Sequence, residues 1–297
     1  MSPAPKAFRL PIVDPRSIRE VAAGVWIIAD DDRTPLVPNI GIIVGQRATL
    51  IIDTGLGADN ARTVLKEARR ISNGNPLFLT HTHCHPEHGF GANIVADEVT
   101  TISNAAQWVE LKEKGHALLQ MFRKQIPAVA PMLADVEFLK PSIGYSEFMQ
   151  LDLGGLVVDF HEFGGGHSRG DQVLMVRGNR SVQFTGDLVE DGYFGILGDH
   201  ESHVVPWIDR LDRLERLAPD IVVPGHGHTG GRELITTFRG YLDLARRRVR
   251  ELRDEDTLTE AQIVERVGAE LLALHPDWEN RHWAALTAAD LAWPGRT

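Results

Sequence analysis

Thr80-His81-Thr82-His83-Cys84-His85-Pro86-Glu87-His88-Gly89 places four histidines and a carboxylate within eight consecutive positions. The run before it, Pro76-Leu77-Phe78-Leu79-Thr80, is apolar enough to be a buried strand, so the histidines begin where a strand ends and a loop starts. Buried imidazoles and charges are costly unless something satisfies them, and short His-rich tracts point to metal binding. A divalent cation with nitrogen and oxygen ligands needs side chains converging to about 2.0–2.2 Å from one point. In extended chain, residues two apart share a side, so His83 and His85 can grip one ion together. Glu87 and His88 follow the turn at Pro86 and can face a second. A register starting at His81 puts Pro86, which has no ligand atom, into the second pair; His81 is therefore read as a neighbour of the site.

Thr82-His83-Cys84-His85-Pro86-Glu87-His88 resembles the T-H-x-H-x-D-H signature of the metallo-β-lactamase-fold hydrolases. Glutamate stands at position 87 where that family usually has aspartate. It carries the same charge on a stem one methylene longer, which bears on the affinity and identity of the second metal. Later strand ends carry further matches: Gly166-His167-Ser168, Thr185-Gly186-Asp187 and Pro224-Gly225-His226, with His228 a rival in the last loop. The resemblance implies one zinc on His83, His85 and His167, a second on Glu87, His88 and His226, and Asp187 bridging them; iron or manganese are the alternative metals. Three imidazoles with room for water form the catalytic zinc arrangement, which lowers the pKa of water from about 15.7 to about 7. Asp187 would then orient the hydroxide, and Glu87 would carry a proton to the leaving group. Asp53, in Ile52-Asp53-Thr54-Gly55, is expected to hold a ligating imidazole by its far nitrogen. Tyr193 and His200 are candidate substrate contacts, and Cys84, between two ligands, is expected to face the core.

The family's fold is a four-layer αββα sandwich, and the order of elements suits it: strand-rich, then helical, twice over. Strands are expected at 21–29, 39–45, 49–53, 76–80, 100–103, 156–161, 172–176, 181–185 and 221–224. Helices are expected at 61–71, 104–125, with Trp108, Leu111, Leu118, Leu119 and Phe122 on its apolar face, and 206–217. Residues 126–147 read as loop plus a weak strand. Three more helices are expected at 231–252, 257–274, with a capping box at Thr257-Leu258-Thr259-Glu260, and 277–293. The whole of 1–297 is read as a single domain, with a core over about 20–240, a helical appendage beyond it and a Pro-rich N-terminal arm.

With 43% hydrophobic and 24% charged residues the composition is that of a globular protein. A net charge of −10 opposes nucleic acid or an anionic membrane as partner. One cysteine excludes an internal disulfide framework and suits the cytoplasm, and no segment reaches transmembrane length. The expected function is a zinc-dependent hydrolase that uses a metal-bridging hydroxide to cleave an ester, thioester, lactone or amide of a small molecule; a homo-oligomer is compatible with the composition. The segment from Thr185 through Glu201 to Leu211 resembles the broad-specificity zinc hydrolases of quinoprotein and sulfur-oxidation type. The alternative on the same fold is a mononuclear iron dioxygenase acting on a persulfide, with His83, His167 and Asp187 as ligands; a β-lactamase is the lesser alternative.

Overall fold

A computed structural model describes residues 8–198 and 200–293. The N-terminal half forms a seven-stranded sheet in the order β1 (Ile18–Ala22), β2 (Val25–Ile28), β3 (Ile40–Val44), β4 (Thr49–Ile52), β5 (Leu77–Thr80), β6 (Thr100–Asn104) and β7 (Ile143–Tyr145). Its first four strands pair antiparallel and the rest parallel. The parallel connections are α1 (Ala58–Ile71), a single helical turn α2 (Pro86–Gly89) with the 3-10 segment after it, and α3 (Ala105–Gln125). The second sheet has five strands, β8 (Phe148–Asp152), β9 (Val157–Glu162), β10 (Gln172–Arg177) and β11 (Val182–Gly186), then β12 (Ile221–Pro224) parallel to β11. Helices α4 (Val204–Arg216), α5 (Glu233–Asp254), α6 (Glu260–Leu274) and α7 (Trp283–Ala292) complete the chain.

Alternation along each strand builds the layers. Leu50 and Ile52 of β4 and Ile43 of β3 turn inward to meet Phe160, Leu174, Val182, Phe184 and Val223 of the other sheet. Ile51 of β4 and Ile40 and Ile42 of β3 turn outward onto Ala61, Val64, Leu65 and Ala68 of α1. On the far side, Val173 and Val222 pack beneath α4, α5, α6 and α7 through Trp207, Phe238, Val267 and Ala288. This is the expected αββα sandwich with extra C-terminal helices. Strands covered on both faces read as continuous apolar runs, which is why Ile40–Val44 and Ile221–Pro224 stand out in the sequence. The helix α5 passes unbroken through residue 241, and the last helices share one core with the second sheet. No helix among the described residues is long and apolar enough to cross a membrane.

Several elements differ from expectation. Residues 21–29 are not one strand: they span the end of β1, the turn at Ala23-Gly24 and β2, the two arms of a hairpin. Strand β8 was not expected at all: it is an edge strand with alternating exposure, and Phe148 is half exposed. The capping box lies two residues later than expected, between Thr259 and Gln262, so α6 starts at Glu260. Helix α7 starts at Trp283 rather than 277. On α3 the buried positions are Gln107, Glu110, Gly115 and Leu119, while Trp108, Leu111, Leu118 and Phe122 are only partly buried. Of the N-terminal arm, residues 1–7 lie outside the described residues.

A candidate binuclear metal centre

The parallel pairs β4/β5 and β11/β12 point their carboxyl ends to one edge of the sandwich. Strand β9 runs with β11, because each is antiparallel to β10, so its end reaches the same edge. Asp53 follows β4, the His-rich loop follows β5, and the loop bearing His167 follows β9. Asp187 follows β11 and His226 follows β12. Five sequence-distant segments thus converge.

They form two groups that share Asp187: His83, His85, His167 and Asp187, and Glu87, His88, Asp187 and His226. Within each group one potential ligand atom per residue lies within 4.8 Å of all the others. Asp187 Oδ2 is 3.8 Å from His83 Nε2 and 3.7 Å from the Nε2 atoms of both His167 and His226; its Oδ1 is 3.2 Å from His88 Nε2. At Gly225 a Cβ would stand 1.8 Å from Asp187 Oδ1, so only glycine lets β12 turn this close to the carboxylate.

The second nitrogen of each ring fixes its tautomer. His88 Nδ1 donates to Asp53 Oδ2 at 2.9 Å, His226 Nδ1 to the Val37 carbonyl at 2.8 Å, and His167 Nδ1 to the Ile196 carbonyl at 3.1 Å. Thr82 donates its hydroxyl to Asp53 Oδ2 at 2.9 Å, so its oxygen accepts from His83 Nδ1 at 3.1 Å. Each of these rings therefore keeps Nε2 for the cluster. His85 turns the other way, with its Nδ1 2.8 Å from His167 Nε2. Asp53 holds a left-handed backbone conformation, φ 66°, and is almost wholly buried. Its Oδ1 also accepts the Thr82 N–H at 2.7 Å, so it braces the His-rich loop at two points.

The charges follow from this packing. Burial would raise the Asp187 carboxyl, but His88, His226 and His83 hold it well below the usual range. Burial would lower His88, yet Asp187 and Asp53 raise it well above an ordinary imidazole. His83 is held well below, by burial and then by the neighbouring His88.

His83 Nε2, His88 Nε2, Asp187 Oδ1 and Glu87 Oε2 are all buried and make no hydrogen bond. Four unsatisfied buried atoms would cost roughly 1–3 kcal/mol each. Their convergence, and a donor set of imidazole nitrogen and carboxylate oxygen, fits divalent transition metals.

The remaining candidates separate. Tyr193 is buried, its ring centroid 5.9 Å from that of His226, and its hydroxyl has no hydrogen-bond partner; burial pushes the phenol well above its ordinary value. His200 does not join the cluster. It sits in an exposed turn beside a recess lined by Leu197, His203, Trp283 and Asp290, where a polar chain segment simply stays in solvent. His228 is exposed and pairs with Asp191 at 3.0 Å. His81 and Cys84 line a cavity of about 80 Å³ with His83, Phe90, Trp108 and Phe138, and Cys84 is buried as expected.

Glu190 was missed. It is buried, its Oε2 lacks a partner, and burial together with the charges of Asp187 and Glu87 drives its carboxyl well above the normal range. The only signal in the sequence is the carboxylate pair Glu190-Asp191 that follows Leu188-Val189 after Asp187.

Residues 33–226 match the Metallo-beta-lactamase superfamily, and the chain belongs to that family. A metallo-beta-lactamase type 2 from Bacteroides fragilis is 30% identical over 98 residues, 32% of this chain and 39% of that protein. A linear primary-alkylsulfatase from a Pseudomonas species is 24% identical over 224 residues, 65% of this chain and 42% of that protein. The chain thus spans about two-fifths of the length of these curated relatives. Among solved structures, a stereoselective inverting sec-alkylsulfatase from Pseudomonas superposes with a TM-score of 0.70 at 18% identity, over 93% of this chain and 49% of that one.

Proposed function

We propose that the chain is a hydrolase with a binuclear zinc centre. His83, His85 and His167 would hold one ion, Glu87, His88 and His226 the other, and Asp187 would lie between them. The observation that carries this reading is the convergence of seven ligand-competent side chains whose inward atoms include four that are buried and unpartnered. Bound there, the ions would polarise the substrate and lower the pKa of water to about 7. Asp187 would orient the attacking water, a role supported by its membership of both groups. In the reaction, the water oxygen bonds to the electrophilic atom and the bond to the leaving oxygen, sulfur or nitrogen breaks. Glu87 would take the water's proton and pass it to the leaving group.

The substrate is a small molecule with an ester, thioester, lactone or amide bond. The net charge of −10 opposes nucleic acid, and a single cysteine supports a reducing compartment such as the cytoplasm. A sulfate ester is the second reading, favoured by the alkylsulfatase match, which extends over twice as much of this chain as the lactamase match.

The test is to strip the protein of metal, reload it with zinc, iron or manganese, and assay lactone, thioester, ester, β-lactam and alkyl sulfate substrates. Hydrolysis of at least one of them, abolished by stripping and restored by zinc, is expected. Oxygen consumption on a persulfide with iron alone, and no hydrolysis with zinc, would replace the hydrolase reading with the dioxygenase.

A further inference from the structure

Helix α3 is joined to the cluster by polar atoms. Asn104, its N-cap, with Gln107 and Glu110, are spaced three apart on one face, and all three are buried, Glu110 completely. Each bonds to a loop that carries candidate ligands. Asn104 Nδ2 donates to the Gly170 carbonyl at 2.8 Å, and Gln107 Nε2 donates to the His81 carbonyl at 3.0 Å. Glu110 Oε2 accepts the Gly170 N–H at 2.8 Å, and its Oε1 accepts the Arg169 N–H at 3.3 Å. Lys114, one turn on, sets its ammonium 3.1 Å from Glu110 Oε1. A Cβ at Gly170 would stand 2.4 Å from the Gln107 Cα, so the loop backbone lies directly on the helix.

A buried carboxylate is an expensive way to pack a helix; an apolar side chain of similar volume avoids the desolvation cost. What the carboxylate adds is two acceptors aimed at two successive backbone N–H groups, which fixes both the place and the tilt of that peptide. The rest of the loop is closed on itself. Asp171 accepts from the backbone N–H groups of His167 and Ser168, each at 2.8 Å, and from the Ser168 hydroxyl at 2.6 Å. A shift at Gly170 is therefore carried to His167 rather than absorbed between them.

We propose that Glu110 is a positioning residue for the half-site of His83, His85 and His167, acting on His167 through the Arg169–Gly170 backbone. This rests on the two-metal reading. The other half-site takes its braces from Asp53 and Val37, so the effect is selective. Second-layer partners of this kind change metal affinity by about 10- to 100-fold when lost.

The experiment is a cobalt(II) titration of the metal-free full-length chain, followed by its visible d–d spectrum, with His167→Ala marking which binding step belongs to this half-site. Glu110→Gln, Glu110→Ala and Gly170→Ala should weaken that same step by about 10- to 100-fold and alter its spectrum, with the other step unchanged. Retention of that second step also shows that the variants are folded. Wild-type affinity and spectrum at both steps in all three variants would overturn the proposal, as would equal weakening of both steps, the mark of a merely structural role. A wild-type chain that binds fewer than two cobalt ions overturns the two-metal reading itself, and the proposal with it.

Discussion

The two halves of the cluster are braced in different ways. In the half formed by Glu87, His88 and His226, the central imidazole is held by a buried carboxylate, Asp53, which also ties down the loop backbone. In the half formed by His83, His85 and His167, the far nitrogens of His83 and His167 meet neutral oxygens, the Thr82 hydroxyl and the Ile196 carbonyl. The first arrangement works through charge: a carboxylate on the far side raises the basicity of its imidazole. The second works through shape, since its distal ligand comes from the other sheet on a loop held from outside by α3. Damage to one charged residue should hurt the first, and damage to loop placement should hurt the second.

The severest test removes what the halves share. Asp187→Asn should lower turnover by about 10²–10⁴-fold while at least one metal stays bound, read by steady-state rates beside metal analysis. Full activity would take Asp187 out of the centre.

A second test uses a carboxyl that lies near only one half. Asp30 is buried within the field of His226, and burial pushes its pKa from 3.8 up to about 6. Its folded value lies above its unfolded one, so the native state is favoured by protonation, and a penalty builds as pH rises from about 3.8 and is complete once it passes about 6. Asp30→Asn removes that penalty. In metal-free protein the variant should gain on wild type between pH 4 and pH 7.5 by about 3 kcal/mol at most, measured by denaturant unfolding at each pH. A gain that does not depend on pH would show that the carboxyl is not strained.

Asp53→Asn should then weaken metal binding to the Glu87 half by about 10- to 100-fold and the other half by less, because Asp53 reaches that half only through the Thr82 hydroxyl beside His83, as resolved by stepwise titration. Equal losses would erase the distinction drawn above. The smallest effect is expected from Thr82→Val. Its oxygen lies 3.1 Å from His83 Nδ1 and 3.3 Å from His88 Nδ1, so both halves should weaken together, by roughly fivefold for about 1 kcal/mol of lost hydrogen bonding.

What the sequence disclosed follows the same division. His83, His85, Glu87 and His88 lie within six consecutive positions, so their spacing orders them about two ions. Asp53, His167, Asp187 and His226 each end an apolar strand or follow a glycine-rich turn, which made them visible once the family pattern was matched. Glu110 and Glu190 were hidden, because a carboxylate on a helix or in a loop acquires its meaning only from what faces it. The stripe Asn104, Gln107 and Glu110 reads as solvated surface until the loop at 169–170 is laid on it. Apolar periodicity marks Trp108 and Leu111 instead, which are only partly buried. Strand β8 escaped for a related reason: an edge strand with one wet face lacks the unbroken apolar run that marked β3 and β12.

The central claim is that this cluster holds two cations about one shared carboxylate, and anomalous diffraction at the zinc edge from crystals of zinc-loaded protein tests it most directly. Two peaks are predicted, one among His83, His85 and His167, the other among Glu87, His88 and His226, with Asp187 between them. No peak among these seven residues, or zinc bound only elsewhere on the chain, would contradict it.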